Sequence, residues 1–400
     1  MSFRAPVAVT GLGCLCAAGN TLGECTETLF SGRRAPSPPG CFSTTHPVSY
    51  PVFEVPEAAL AGSAAEEAGL LRTSRLALAA AREAVADAGW SSADLAALRV
   101  GVCVGTTVGS AMNNEDFYRQ YREGGRPEMT PIERFLQSNP AAAISRAYTL
   151  NGPCQTVVNA CASGTDAIGL AASWIRAGLC DLAIAGGADE LCRVTYNGFI
   201  SLMIADTEPV RPFDSTRRGL NLGEGAAMLI LESEALRREK KGRARAFVLG
   251  YGSACDAYHL TAPSPEGTGL RRAIEEALAT SGVAAAEIAF VNAHGTGTPD
   301  NDRVESRVLC DALPQVPFFS TKGYTGHTLG AAGAIEAALT VACLERREIP
   351  ASVGFSLPDP DLPGRPTEKA VAIRGRVALS ESLAFGGNNA VIVFGSGDNS

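Results

Sequence analysis

Basic charge and histidine are scarce in this 400-residue chain: 34 Lys and Arg stand against 42 Asp and Glu, and there are four histidines. The formal charge of −8 argues against a general nucleic-acid binder, which must neutralise phosphates with Lys and Arg, but leaves room for a local basic patch toward an acidic partner. Long apolar runs are missing too. Glycine or charge interrupts each one before the ~18 residues a spanning helix needs, and the opening MSFRAPVAVTGLG has no charged segment followed by a long apolar one. The expectation is a protein without membrane insertion, placed in the cytoplasm. Twelve cysteines occur with no C-x-x-C pair and no regular spacing, so neither a disulfide framework nor a zinc ribbon is indicated, and no metal or dissociable cofactor is expected. What the chain has in quantity is apolar: 46% hydrophobic residues against 19% charged suit a well-buried globular enzyme of one large or two modest domains.

The stretch TVVNACASGTDAIGLAASWIRAG organises the rest. The β-branched run Thr156–Val157–Val158 stops in small residues around Cys161, and Ile168, Ala171, Ala172 and Ile175 then recur at helical spacing until Gly178. That reads strand, sharp turn, helix, with Cys161 at the turn. Ala160, Ala162, Ser163 and Gly164 leave room for a substrate, and a helix N-terminus favours a reactive thiolate. For a single cysteine among twelve, burial as a small hydrophobe is the commoner role, so partners elsewhere must decide.

Along the chain, Val7–Thr10 leads into Gly11–Leu12–Gly13, but the third glycine is misplaced for a dinucleotide turn and no acidic ribose partner follows. Residues 31–56 read as surface loop, 71–89 as an alanine-rich helix, 100–104 as a strand opening into GTTVGS, and 113–139 as an inserted polar lobe. Further strands are expected at 182–188 and 228–231. A charged stretch at 239–245 marks a boundary between halves 1–242 and 243–400, and AFVLGYGSACD faintly echoes VAVTGLGCLCA, as an internal duplication would. In the second half, a strand at 288–292 delivers His294 into HGTGTPDND, and one at 318–321 delivers Lys322 and His327 into TKGYTGHTLGAAGAIEA. Cys161, His294 and His327 thus each follow the carboxyl end of a strand, where α/β sheets gather chemistry.

Together NACASG, RPFD with GEGA, DAYHLTAP, NAHGTGTPDND, TKGYTGHTLGAAGAIEA and FGGNNA, in that order, resemble the β-ketoacyl-acyl carrier protein synthases, elongating ketosynthases of the thiolase superfamily. The resemblance implies an α/β, five-layered αβαβα thiolase-like fold of two similar halves. It also implies decarboxylative Claisen condensation, with Cys161 carrying the acyl chain and His294 and His327 as paired N–H donors to a malonyl thioester. Lys322 would orient the histidines with support from Glu336, and the backbone N–H groups of Cys161 and Phe385 would form an oxyanion hole. Thr296 and Thr298 would line a phosphopantetheine tunnel, and Val108 in GTTVGS would close a partner's acyl pocket. The implied partners are an acyl carrier protein and a second subunit, in a homodimer or a heterodimer with a chain-length-factor-like homologue.

Some positions depart from the family. Ser382–Asn389 read SLAFGGNN where S-F-G-F-G-G-T-N is common, which should alter the gate over the acyl pocket; Gly323 and Tyr324 replace small residues beside Lys322. Asp166 stands where histidine is common, and Glu66–Glu67 are acidic where carrier-binding positions are usually basic, with Arg72, Arg75 and Arg126 as replacements. These departures lean toward a specialised polyketide or polyene ketosynthase over a fatty-acid housekeeper. A catalytically silent chain-length subunit is the main rival, against which the intact Cys161, His294 and His327 argue. A cysteine hydrolase would leave the second histidine loop without a role.

Overall fold

A computed structural model describes residues 6–60 and 69–397; Glu66 and Glu67 lie outside the described residues. Ten strands form one sheet system. The first half supplies β1 (Val7–Cys16), β2 (Val100–Gly105), β3 (Cys154–Val157), β4 (Leu182–Asp189) and β5 (Gly225–Glu232). The second supplies β6 (Ala246–Cys255), β7 (Ile288–Ala293) and β8 (Phe318–Ser320), then a separate two-stranded ribbon of β9 (Glu348–Ile349) and β10 (Val371–Ala372), then β11 (Val377–Ala384) and β12 (Asn388–Ser396).

The spatial order β3-β2-β4-β5-β1-β6-β12-β11-β7-β8 reads the same outward from its centre. In the first half β2 runs parallel to β3 and β4, and β5 antiparallel to β4 and β1; in the second β7 runs parallel to β8 and β11, and β12 antiparallel to β11 and β6. The fold is therefore a duplication. β1 and β6 pair only at Val7–Val9 with Ala246–Val248, beyond which the two sheets splay apart. Two helices fill the gap, Ser163–Arg176 and Ala332–Arg346. Every residue from Ala332 to Leu344 is buried, as a helix covered on all sides requires. Outside, helix Arg72–Asp87 packs on β1 and β5, and Thr268–Ser281 on β6 and β12, completing five layers.

The sequence echo has a steric cause. A Cβ on Gly11 or Gly13 would lie 2.2 Å from the Ala84 carbonyl and 2.1 Å from that of Ala80, and one on Gly250 or Gly252 would lie 2.3 and 2.2 Å from those of Ala277 and Ala273. In both halves, glycines on the first strand let an alanine-rich helix close onto its backbone. Where β1 and β6 diverge, strand N–H groups lose a neighbour, and helix side chains replace it: Cys14 N–H donates to Glu83 (2.8 Å) and Ser253 N–H to Glu276 (3.1 Å).

Residues 31–56 are not surface throughout. Val52, Phe53 and Val55 are buried because Phe53 pairs with the segment after the RPFD loop, its N–H donating to Leu222 O at 2.9 Å. The polar lobe is helical, at Glu115–Arg122 and Thr130–Gln137, and neither helix buries a residue. The charged stretch at 239–245 ends helix Glu234–Lys240 and enters β6.

Candidate active site

Cys161 stands between β3 and the helix Ser163–Arg176. Ala160 takes a left-handed conformation (φ 48°), and Ser163 Oγ ties the bend by accepting from Asn159 N–H (2.8 Å) and donating to Ala160 O (2.6 Å). Such a φ in a residue with a side chain stores about 1–3 kcal/mol of strain, held by the packing around it. A Cβ on Gly105 would lie 2.3 Å from Ser163 C, so the end of β2 presses on the turn. Cys161 is 5% exposed. Burial pushes the thiol up to about 12, against the pull of the Lys322 charge and of the Phe385 N–H, which donates to the sulfur. The resting group is thus a thiol and not the expected thiolate, because desolvation outweighs the positive surroundings.

His294 and His327 meet edge to face, ring centroids 5.2 Å apart, both buried. Lys322 Nζ donates to Glu336 Oε1 (2.5 Å), His294 O (2.6 Å) and His294 Nδ1 (3.0 Å), which engages all three ammonium protons. His327 Nδ1 accepts from Leu329 N–H at 3.3 Å. With Nδ1 accepting in both rings, each neutral imidazole carries its proton on Nε2. Burial, then the Lys322 charge, holds both histidines well below 6.5; for His294 the neighbouring His327 adds to this.

The other motifs brace these groups. His327 is strapped to the stretch ending in GEGA, its N–H donating to Asn221 O (2.8 Å) and its carbonyl accepting from Gly223 N–H (2.9 Å). Asp214 of RPFD accepts from Ser356 and Leu357 N–H, both 2.8 Å, clasping the loop after β9. Asp256 of DAYHLTAP holds the late turn: its N–H donates to Gly387 O (2.7 Å), and Asn389 donates to its carboxylate (3.2 Å). Gly323 is required, since a Cβ there would lie 2.1 Å from Val353 O, and Tyr324 is buried with its hydroxyl on Ala351 O (2.8 Å).

Three further carboxylates belong to the site and went unread in the sequence. Glu305 accepts from His294 N–H (2.5 Å) and Gly295 N–H (2.8 Å). Glu381 is held well above the usual carboxylate range by burial and by Glu305 and Glu336. Asp189 accepts from Thr107 N–H and Gly330 N–H, both 2.7 Å, tying the GTTVGS turn to the loop after His327. Glu305 lies four residues beyond Asn301, which donates to it at 2.9 Å, so the NAHGTGTPDND motif continues one helical turn past its apparent end.

Cys161, His294, His327 and Phe385 open onto one cavity of about 290 Å³, also lined by Thr296, Thr298, Leu383, Ala384 and Phe199. The Thr296 and Thr298 hydroxyls share a hydrogen bond of 2.8 Å. Phe199 stacks on Phe385 (5.5 Å, 13°) and meets His327 edge-on, an aromatic contact the sequence did not announce. Val108 is half-buried and lies outside the lining of this cavity. Asp166 is bound by Asn159 and Tyr251, the latter at 2.6 Å. Arg72 and Arg75 do not form a free cationic patch: Arg72 binds buried Glu224 (2.6 Å) and both reach Glu57, leaving Arg126 exposed by itself.

A duplicated thiolase-like fold that sets one cysteine against two neutral histidines and a backbone N–H defines a class of acyl-transfer enzyme. Within that class the chain belongs to the β-ketoacyl synthases: it matches "Beta-ketoacyl synthase, N-terminal domain" over residues 4–236 and "Beta-ketoacyl synthase, C-terminal domain" over 245–356. It is an acyltransferase of the 3-oxoacyl-[acyl-carrier-protein] synthase type. The 3-oxoacyl-[acyl-carrier-protein] synthase 2 of Synechocystis is 34% identical over 405 residues, 97% of each chain. The solved ishigamide ketosynthase/chain length factor superposes with a TM-score of 0.91 at 34% identity, covering 98% of this chain and 99% of that one. A ketosynthase in complex with its chain length factor from Xenorhabdus doucetiae gives 0.83 at 30% identity, covering 98% of each. No helix among the described residues is long and apolar enough to cross a membrane.

Proposed function

We propose that this chain extends carrier-bound acyl groups by decarboxylative condensation in a specialised polyketide or polyene pathway, with Cys161 as nucleophile. The observation that carries this reading is the convergence on one cavity of a thiol and two Nε2–H imidazoles whose tautomers are fixed by Lys322 and Leu329. Cys161 sulfur attacks the acyl thioester; its bond to the acyl carbon forms, the bond to pantetheine sulfur breaks, and the thiol proton leaves with pantetheine. The Phe385 and Cys161 N–H groups receive the oxyanion. A malonyl thioester then takes the site and loses CO2, its electron pair moving onto the carbonyl oxygen, where His294 and His327 donate. The enolate carbon attacks the Cys161 thioester, forming the C–C bond and returning sulfur as the thiol with a proton from solvent. Lys322 holds the network and stays off the substrate. No cofactor is needed, since phosphopantetheine arrives on the carrier protein.

The open edge of β3 supports assembly with a second chain. β3 pairs only with β2 among the described strands, Cys154 and Gln155 are exposed, and exposed Val158, Leu136 and Met129 lie in this segment and the preceding lobe. The division at 242/243 separates the nucleophile half from the histidine half. Mass spectrometry of carrier-bound products, after mixing the protein with malonyl-carrier and a panel of acyl-carriers, tests the function. Extended β-ketoacyl chains are expected, and acyl hydrolysis without extension would refute it.

A further inference from the structure

We propose that Cys14, Cys16 and Cys25 form a site for one thiophilic closed-shell cation, Cu(I) in three-coordinate sulfur geometry. The three thiols are buried, and their sulfur atoms all lie within 4.8 Å of one another. Cys14 and Cys16 sit two apart on β1 and so face one side, and Cys25 comes down from helix Leu22–Ser31, its Sγ 3.6 Å from that of Cys16. At the widest, a triangle of 4.8 Å edge puts its centre about 2.8 Å from each sulfur. Shortening by about half an ångström reaches the ~2.3 Å typical of a metal–thiolate bond.

Cys25 Sγ also reaches the Cys14 carbonyl at 4.0 Å, so the three residues pack directly on one another. Glu83, which accepts from Cys14 N–H, adds negative potential. In the second half the position matching Cys14 is Ser253, bonded to its helix in the same manner, and the one matching Cys16 is Cys255, whose Sγ donates to Gly386 O at 3.4 Å, so among the described residues the three-sulfur group occurs in the first half alone. The turn 17–20 packs on Cys25, its half-buried Gly19 accepting from Cys25 Sγ at 3.4 Å.

Three soft sulfurs without a histidine or carboxylate in the group select Cu(I) over Zn(II), whose structural sites take four ligands. Each thiol that becomes a ligand releases its proton to solvent, and no group changes oxidation state.

Anaerobic titration of the full chain with Cu(I) against bicinchoninate tests the site, with Cys161→Ala as background to remove the nucleophile. One tightly held Cu(I) per chain is expected, with three sulfur neighbours by X-ray absorption and a raised melting temperature. Cys16→Ala and Cys25→Ala should each weaken binding at least about 100-fold while leaving condensation, measured with Cys161 intact, unchanged. Equal Cu(I) affinity in these variants overturns the proposal, as does tighter cysteine-dependent binding of Zn(II). If a variant does not fold, the sulfur count decides, and two or fewer refutes the site.

Discussion

Cys161 is a buried thiol and the two histidines are neutral donors, so loading and decarboxylation should separate on mutation. Cys161→Ala is expected to abolish acyl loading, whereas His294→Ala or His327→Ala should keep most loading and lose condensation by about 10²–10³-fold, the scale of one missing oxyanion donor. Loading followed by intact-protein mass spectrometry, and condensation by product formation, would expose an error if Cys161→Ala still elongated normally. The pH dependence follows from burial. Because the folded protein binds the two imidazole protons less readily than the unfolded chain, the histidines' contribution to stability is complete above 6.5 and falls as the pH drops below it. Glu336, pushed up to about 7 by burial, titrates nearby, so Glu336→Gln is the background of choice. In it, malonyl decarboxylation should stay level from about pH 8 down through 6.5, and a midpoint at or above 6.5 would contradict neutral donors.

At the scale of elements, glycine placement divides into contact and vacancy. Gly13→Ala and Gly252→Ala each push a methyl to within 2.1 and 2.2 Å of a helix carbonyl, and each should lower stability by about 3 kcal/mol or more by urea denaturation. Gly198, inside helix Arg193–Ser201, meets nothing within 4 Å, and Gly198→Ala should stabilise by about 0.5–1 kcal/mol. If the strand substitutions were as mild as the helical one, the close packing of strand on helix would be wrong. The same distinction explains what the sequence discloses. Strand-terminal loops at Cys161, His294 and His327 were legible because abrupt changes from β-branched to small residues are local. Glu305, Glu381 and Asp189 were not, since an acidic residue inside a helix or strand looks like a solvated one until the fold buries it against a backbone N–H or another carboxylate. The cysteines at 14, 16 and 25 escaped likewise, because a C-x-C on one strand meets a third sulfur only after a helix folds over it. Residues 52–55 looked like loop for the converse reason, their burial being owed to a segment about 170 residues away.

Across the whole molecule, the question is what covers the β3 edge and what receives the carrier protein. Arg72 and Arg75 are spent on Glu224 and Glu57, so of the three arginines expected to meet a carrier protein Arg126 is the one left exposed. On the proposed reading, a second, different subunit supplies the basic surface and completes the pocket. Val108 bears on the same point, since it lies outside its own cavity: Val108→Phe should shorten the products made by the assembled enzyme, and an unchanged length profile with the assembly intact would remove this turn from the pocket. Co-expression with a neighbouring ketosynthase-like chain lacking the active cysteine should yield a one-to-one heterodimer, visible by native mass spectrometry and more active than this chain alone. Because β3 is an open edge, a Pro substitution at Gln155 would place a residue without an N–H on it. It should dissociate the pair while Cys161 still reacts with an alkylating probe. A stable homodimer of this chain that elongates carrier-bound acyl groups at full rate, and loses carrier binding on charge reversal of Arg126, would instead assign both the edge and the carrier surface to the chain itself.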